Sequence, residues 1–336
     1  MYYLDRVALS QLQDPRDAIV RVDAVTICGT DLHILKGDVP EVDRGRILGH
    51  EAVGTVLEVG AAVTGLAEGT RVLVSCISGC GRCRFCRRGV YGQCLNEGGW
   101  VLGHLIDGTQ AEFLRVPFAD TSLYPIPDAV TDQAALMLAD VVPTAYEVGV
   151  LNGRVGPTDT VVVVGSGPIG LAAIKTARFF SPSHVVAIDI AQSRLDAAQR
   201  FGADRVVLVD ADPEAAVLEL TDGFGADVVI EAVGVPESFE LCTRLVRPGG
   251  RIANVGVYGL PATLHLEDLW TKNISITTGL VDTYSTPTLL AMLASGQLDT
   301  EPLVTHHFAL DAMLEAFNVF ANASTTGALK VMLTRS

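Results

Sequence analysis

The sequence predicts an α/β protein with a β-rich part and a second part built on a doubly wound parallel sheet. Short β-branched runs separated by Gly and Asp turns fill residues 16–75, a pattern typical of a barrel-like fold with long loops. After Pro143 the strands become almost continuously apolar, and most gaps between them have helical period and composition. Alternation of this kind predicts a doubly wound sheet with helices on both faces.

The β-rich part contains three clear strand candidates before its loops lengthen. They are AIVRVDAV (18–25), AVGTVLEV (52–59) and RVLV (71–74). These runs do not suggest parallel βαβ units.

The second part has five strand candidates, and the chain then returns to mixed structure. The strands are TVVVV (160–164), HVVAIDI (184–190), RVVLV (205–209), ADVVIEAV (226–233) and GRIANVGV (250–257). After Gly279 come helical runs and a terminal strand, ALKVMLT (328–334), which we expect to fold back onto the first domain. The predicted domains are therefore residues 1–143 with 280–336, and residues 144–279.

Composition excludes several classes of protein. The chain has 336 residues, about twice the usual size of one domain, and its 49% hydrophobic content argues against disorder. A net charge of −15 repels phosphate backbones and anionic lipid, so no nucleic-acid or membrane partner is expected. Charges at Asp5 and Arg6 stand where a secretion signal would be apolar, and no apolar run reaches the length of a spanning helix, which predicts a soluble cytoplasmic protein.

A glycine motif follows the first strand of the second part. In GSGPIG, Gly165 permits a tight turn, Gly167 allows close approach of a pyrophosphate, and Gly170 allows the helix to pack on the strand. Asp189 ends the next strand, where a carboxylate accepts hydrogen bonds from a ribose. The alternative is a surface turn followed by a solvated aspartate. It does not explain why a strand, the glycines, a helix and an acidic residue follow one another in this order.

Four cysteines lie close together in CGRCRFCRRGVYGQC. Cys80, Cys83, Cys86 and Cys94 can close a tetrahedral shell around a structural zinc. Disulfides or a cluster of apolar thiols fit the Arg- and Gly-rich surroundings poorly, whereas an iron–sulfur cluster remains a serious alternative. Cys76 and Cys242 are interpreted as small buried residues.

A second set of possible ligands is scattered along the chain. Cys28 begins CGTDLH, His50 and Glu51 lie in LGHEAVG, and Asp140 lies in LMLADVVPT. A catalytic zinc takes three protein ligands and keeps one position open, and these residue types are all suitable. Each of them is more often structural when taken singly, so the pattern alone leaves both interpretations open.

Taken together, CGTDLH, GHEAVG, the four-cysteine segment, DGTQAEF (107–113) and GSGPIG resemble the zinc-dependent medium-chain alcohol dehydrogenases in order and approximate spacing. The resemblance runs from about residue 16 to the C-terminus. It implies a GroES-like catalytic domain and a Rossmann cofactor domain. It also implies that Cys28, His50 and Asp140 bind the catalytic zinc. Asp140 stands where many members have a second cysteine, a departure that resembles bacterial secondary-alcohol enzymes.

The resemblance implies roles for further residues. Glu51 is implied as an acidic neighbour that enters or tunes the metal shell, and Thr30 with His33 as a proton relay. The implied cofactor and substrate contacts are Thr144 and Ile169 at the nicotinamide, Arg194 at the adenosine ribose, and Trp100 in the substrate pocket. Cys28 lies about ten residues earlier than is usual in the family, so the opening strand is expected to be shortened or replaced by residues 1–10. His104 has no assigned role.

The expected activity is transfer of a hydride between a small primary or secondary alcohol and NAD, giving the aldehyde or ketone. The aliphatic neighbourhood of Trp100, Leu102 and Leu280, without an evident cationic clamp, favours uncharged substrates. We expect a homo-oligomer, either a tetramer or a dimer. The alternatives are a polyol, threonine or formaldehyde dehydrogenase on the same scaffold, or a non-catalytic dinucleotide-binding protein, a class that normally loses the metal ligands.

Overall fold

The computed structural model describes residues 11–335, which form two compact units. One unit holds the described residues up to Pro143 together with the chain from Asp282 onwards, and the other is Thr144–Val281. Residues 1–10, for which we expected a shortened or replaced opening strand, lie outside the described residues. Within residues 11–335, no helix combines the length and apolar character needed to cross a membrane.

The strands and helices of the described chain are numbered in sequence order. The strands are β1 (Ala18–Thr26), β2 (Ala52–Val59), β3 (Arg71–Val74), β4 (Phe113–Val116), β5 (Leu123–Pro125), β6 (Thr160–Val164), β7 (His184–Asp189), β8 (Arg205–Leu208), β9 (Ala226–Glu231), β10 (Val246–Asn254), β11 (Ser275–Thr278), β12 (Val304–Ala309) and β13 (Lys330–Thr334). The α-helices are α1 (Gly29–Lys36), α2 (Ala119–Ser122), α3 (Asp132–Leu136), α4 (Val141–Thr144), α5 (Pro168–Ala177), α6 (Gln192–Phe201), α7 (Pro213–Leu220), α8 (Pro236–Leu245), α9 (Leu266–Leu269), α10 (Thr286–Ala294), α11 (Met313–Ala321) and α12 (Ala323–Thr326). Short 3-10 helices span Cys86–Arg88, Tyr91–Gln93, Arg178–Phe180, Glu301–Leu303 and Leu310–Ala312, and a π-helix spans Ala145–Leu151.

The first unit is built on a seven-stranded sheet. Its order is β12-β13-β1-β2-β3-β5, and β4 pairs with β1. The C-terminal strand β13 lies antiparallel to β1, with Val25 opposite Leu333 and Thr26 opposite Met332. Buried side chains from β1, β2, β13 and α11, among them Val20, Val56 and Phe317, form one apolar core. β13, the last strand of the described chain, therefore lies inside the same sheet as β1, between β1 and the edge strand β12.

The second unit is a six-stranded parallel sheet in the order β11-β10-β9-β6-β7-β8. The chain begins at β6, builds outward to β8, and then returns to the other side of β6 through β9. This is the order of the dinucleotide-binding doubly wound fold, with the point of reversal between β6 and β9. Every residue of β6 is buried, as expected for a strand with helices on both faces.

Four strands of this sheet differ from their predicted limits: β7 and β8 each end one residue early, and β9 and β10 differ by more. β9 ends at Glu231, because its carboxylate accepts the backbone N–H of Val233 (2.8 Å) and Gly234 (3.0 Å) and turns the chain out of the ladder. β10 begins at Val246, four residues before the predicted start, and its pairing with β9 is irregular between Val246 and Arg251. That irregular segment contains Pro248, which cannot donate to the ladder.

Candidate metal and cofactor sites

Cys28 lies at the junction between β1 and α1, where it is the N-cap residue of the helix. The buried carboxylate of Asp31 accepts the Cys28 N–H at 2.9 Å and the Gln110 side-chain amide at 3.1 Å. Burial raises the pKa of Asp31. These contacts hold the thiol of Cys28 at the start of the helix, and sequence analysis had assigned no role to Asp31 or Gln110.

His50 lies in the turn that leads into β2. The preceding Gly49 has φ of +94°, and a Cβ there would meet Thr109 Oγ1 at 2.6 Å, so only glycine allows both this turn and the close packing of the 109–110 segment. His50 is 4% exposed. Burial alone would lower the pKa of this imidazole, but hydrogen bonds with Asp140 and Cys28 raise it well above the ordinary value.

Asp140 directly precedes α4 and completes a cluster with the other two residues. One ligand atom from each of Cys28, His50 and Asp140 lies within 4.8 Å of the others. Asp140 Oδ2 is 3.4 Å from His50 Nε2 and 3.7 Å from Cys28 Sγ. A thiol, an imidazole and a carboxylate converging in this way fit a zinc ion that keeps one position open.

Two further residues contact this cluster. Cys76, which is buried as expected, has its Sγ 3.7 Å from Asp140 Oδ1. Trp100 stacks on His104 with ring centroids 4.2 Å apart, and its ring centroid lies 6.1 Å from that of His50 with the two rings at 76°. The structure thus places Cys76 beside a ligand and His104 behind Trp100, which sequence analysis did not foresee.

The two residues of the expected proton relay lie on α1. Thr30 Oγ1 is 3.6 Å from Cys28 Sγ, next to the metal cluster. His33 lies one turn further on with its side chain 35% exposed, and its Nδ1 is 2.8 Å from Asp38 Oδ2. The helix therefore extends from the cluster toward solvent. Asp38 was missed because it follows the helix, beyond the motif that marks the relay.

Glu51 is fully buried beside His50 but is not part of the ligand cluster. Its Oε2 accepts a hydrogen bond from Lys330 Nζ at 2.6 Å, and Lys330 is itself 1% exposed. Sequence analysis did not single out Lys330. The available signal was a single lysine inside the otherwise apolar terminal strand ALKVMLT, where a charge requires a buried partner.

The sulfur atoms of the four-cysteine segment also lie close together. One sulfur from each of Cys80, Cys83, Cys86 and Cys94 lies within 4.8 Å of the others, and all are free thiols, in contrast to the disulfide alternative. Backbone N–H donors at Cys86 and Leu95 lower the pKa of Cys83 to about 6. Asn96 Nδ2 donates to Cys80 Sγ at 3.2 Å. Four sulfurs supplied with N–H donors fit a closed, structural metal shell.

The glycine loop joins β6 to α5. Gly165 has φ of +95°, and a Cβ at Gly170 would meet Gly165 O at 1.8 Å, so both positions require glycine. At Gly167, the N-cap of α5, a Cβ would meet nothing within 4 Å, which leaves room above the free N–H groups of the helix. Such an open cradle at a helix N-terminus fits a pyrophosphate.

Asp189 ends β7 beside this loop and is held by two backbone amides. Its Oδ2 accepts the Ser166 N–H at 2.7 Å, and its Oδ1 accepts the Ala191 N–H at 2.9 Å. The remaining expected cofactor contacts are half-buried residues of the same unit, placed at the end of α4 (Thr144), in the first turn of α5 (Ile169) and in the first turn of α6 (Arg194).

Comparison with known proteins finds two matching family descriptions and several similar proteins. The family described as "Alcohol dehydrogenase GroES-like domain" matches residues 14–128, and "Zinc-binding dehydrogenase" matches residues 168–295. An alcohol dehydrogenase of Cupriavidus necator is 38% identical, over 95% of this chain and 92% of its own. The apo form of zinc-dependent alcohol dehydrogenase 2 from a Streptococcus has a TM-score of 0.94 at 46% identity, covering 98% and 94% of the two chains. An L-threonine 3-dehydrogenase of Pyrococcus horikoshii is 31% identical, over 95% of this chain and 92% of its own.

Proposed function

Because the chain belongs to the zinc-dependent medium-chain alcohol dehydrogenases, with their GroES-like and Rossmann folds, we propose that it oxidises small uncharged primary or secondary alcohols, and reduces the corresponding aldehydes or ketones, with NAD. Zinc and NAD are its cofactors. The observation that carries the proposal is the convergence of Cys28, His50 and Asp140 within 4.8 Å, separate from the closed four-cysteine set. The three-residue site would thus leave one coordination position of its metal open, whereas the four-cysteine site would fill all four.

In this proposal Cys28, His50 and Asp140 would hold the catalytic zinc, and the ion would supply Lewis-acid chemistry that lowers the pKa of an alcohol hydroxyl. Thr30, whose hydroxyl lies beside Cys28, would take the alcohol proton while passing its own hydroxyl proton on toward His33. His33, exposed to solvent and oriented by Asp38, returns the proton to water. Trp100, whose ring lies nearly perpendicular to that of His50, would exclude water from the reacting atoms.

The cofactor is held by the second unit in the same proposal. Bound NAD would supply the hydride acceptor, and the free backbone N–H groups in the first turn of α5, which follows Gly167, would bind its pyrophosphate. Asp189 accepts the ribose hydroxyls, with Arg194 nearby in the first turn of α6. Thr144 and Ile169 face the nicotinamide. The segment 144–279 is accordingly the cofactor-binding domain, and 1–143 with 280–336 is the catalytic domain.

The test is a screen of the zinc-loaded protein with NAD and a panel of short primary and secondary alcohols. We expect turnover in the wild-type protein and loss of turnover in Asp140→Asn. Asp128→Asn, at an exposed position outside the cluster, is the matched control and should behave as wild type. No NAD reduction with any member of the panel by folded, zinc-loaded protein would reject the proposal.

Threonine oxidation is a second candidate activity, favoured by the similarity to the L-threonine 3-dehydrogenase of Pyrococcus horikoshii. Including L-threonine in the panel separates the two, because a higher kcat/KM for threonine than for every simple alcohol would select this sibling activity. A purely structural dinucleotide-binding role is disfavoured, since both possible metal sets keep their ligands.

We further propose that the protein is a homo-oligomer, a tetramer or a dimer, in the cytoplasm, where its seven free cysteines would stay reduced. The supporting feature is β11, an edge strand of the six-stranded sheet with Ile276 partly exposed and Trp270 76% exposed just before it. Unpaired edges favour pairing with a second copy. Light scattering should show a smaller species for Trp270→Glu with Ile276→Lys, whereas Leu218→Glu, on α7, should leave the mass unchanged.

A further inference from the structure

Among residues 11–335, Lys330 is the largest fully buried side chain, and it is ionisable. It lies at the start of β13, a strand whose other buried residues, Val331, Met332 and Leu333, are apolar. A lysine is rarely buried without a partner, because desolvation of the ammonium group costs several kcal/mol. Its position therefore requires compensation from specific neighbours.

The ammonium group contacts both chain segments that carry the first two metal ligands. Lys330 Nζ donates to Ile27 O at 2.9 Å, immediately before Cys28. It also donates to Glu51 Oε2 at 2.6 Å, immediately after His50. One side chain thus joins the terminal strand to the two turns from which Cys28 and His50 emerge.

Glu51 adjoins His50 in the sequence and is buried, yet it stands outside the cluster. It follows His50 directly, and its Oε1 is buried and accepts no hydrogen bond in the described part of the chain. Its carboxylate is not among the atoms that lie within 4.8 Å of one another in the Cys28, His50 and Asp140 set. The contact that holds its other oxygen is the one with Lys330.

Building on the proposed zinc site, we propose that Lys330 is a positioning residue that holds Glu51 out of the ligand set and so keeps one coordination position open for substrate. Without the ammonium group, the buried carboxylate loses its counter-charge. A buried charge that loses its partner is strongly destabilised. The nearest compensation is the metal ion itself, so Glu51 becomes a fourth protein ligand and the open position closes.

The test uses protein with zinc in the four-cysteine set and cobalt(II) in the Cys28, His50 and Asp140 set. Cobalt(II) reports its coordination through its visible d–d absorption, and imidazole serves as the probe of the open position. In Lys330→Met we expect a changed d–d spectrum and at least about tenfold weaker imidazole binding, which equals about 1.4 kcal/mol. Adding Glu51→Gln should restore the wild-type spectrum and imidazole affinity, because the competing carboxylate is gone.

Lys330→Arg keeps the charge and should resemble wild type, and Lys36→Met, at an exposed lysine, is the matched control. If Lys330→Met does not fold, Lys330→Gln takes its place. A wild-type spectrum and wild-type imidazole affinity in the uncharged variant would overturn the inference while leaving the zinc site intact. Failure of cobalt to enter the site in the wild-type protein would overturn the inference and the proposed metal site together.

Discussion

Replacing Asp189 with glycine should shift the cofactor preference from NAD toward NADP. In the wild-type protein the carboxylate is fixed beside the glycine loop by the amides of Ser166 (2.7 Å) and Ala191 (2.9 Å), so it cannot rotate away from a 2′-phosphate. Two unit charges about 4 Å apart repel by about 4 kcal/mol at an effective dielectric of about 20. After relaxation, and with Arg194 partly neutralising the phosphate, we expect at least about 100-fold preference for NAD in kcat/KM, or about 2.8 kcal/mol.

The same geometry predicts a second effect of the substitution. Removing the carboxylate frees the N–H groups of Ser166 and Ala191, which then become donors for the added phosphate. Asp189→Gly should therefore lose the repulsion between the carboxylate and the 2′-phosphate of NADP, and it should gain N–H donors for that phosphate. It should also lower stability, since hydrogen bonds to a charged group contribute about 1.5–3 kcal/mol each. Asp189→Asn, which removes the charge and keeps an acceptor, should shift the preference with a smaller loss of stability.

The assay is steady-state kinetics with both cofactors at constant ionic strength, with the melting temperature measured in parallel. Asp196→Asn, which changes the net charge equally at an exposed position on α6, is the control and should keep the wild-type preference. Equal efficiency with NAD and NADP in the wild-type protein, or an unchanged preference in Asp189→Gly, would refute the assignment of Asp189 as the selector.

Three further predictions concern the metal sites and the relay. Metal analysis should find two zinc ions per chain in the fully loaded protein. Cys83→Ser should lose one of them and unfold or aggregate its segment, because the free energy of metal binding at a structural site contributes directly to folding. A single zinc per chain, or iron, would contradict this prediction. Asp140→Asn should abolish turnover while leaving the circular dichroism spectrum unchanged, since Asp140 is near the surface of its unit with 14% side-chain exposure. His33→Ala should lower the rate of alcohol oxidation most at low pH, by up to about 100-fold, and only modestly at high pH, where hydroxide replaces the lost base. Asp38→Asn should show the same trend more weakly. A loss of rate that does not depend on pH would show that His33 has a structural role only.

Features that depend on neighbouring residues could be predicted from the sequence. The strand–glycine–helix order around Gly165 could be recognised from a short segment, because each glycine is required by the backbone conformation or the packing of that same segment. The predicted doubly wound sheet and the family were confirmed by the strand order and by the matching family descriptions. The four cysteines from Cys80 to Cys94 lie within one short segment, so their spacing alone indicated a common ligand.

The scattered site could be assembled from sequence only through family resemblance. Cys28 and Asp140 are 112 residues apart, and no periodicity connects them. Asp38, and the contact between Cys76 and Asp140, escaped notice for the same reason, since each depends on a tertiary contact and not on a motif. The limits of β10 were also misplaced, because an irregular pairing around Pro248 lets the strand begin earlier than its apolar pattern.

By itself the sequence determined the local chemistry of this protein: the glycine turn, the apolar parallel strands, the cysteine-rich segment and the types of ligand available. Only the tertiary structure decided which distant charges meet. Lys330 and Glu51 are 279 residues apart, and they form a buried ion pair because β13 returns to pair with β1, the strand that leads to Cys28. The free energy of burying a charge depends on all the groups around it in three dimensions, so a linear pattern does not contain it.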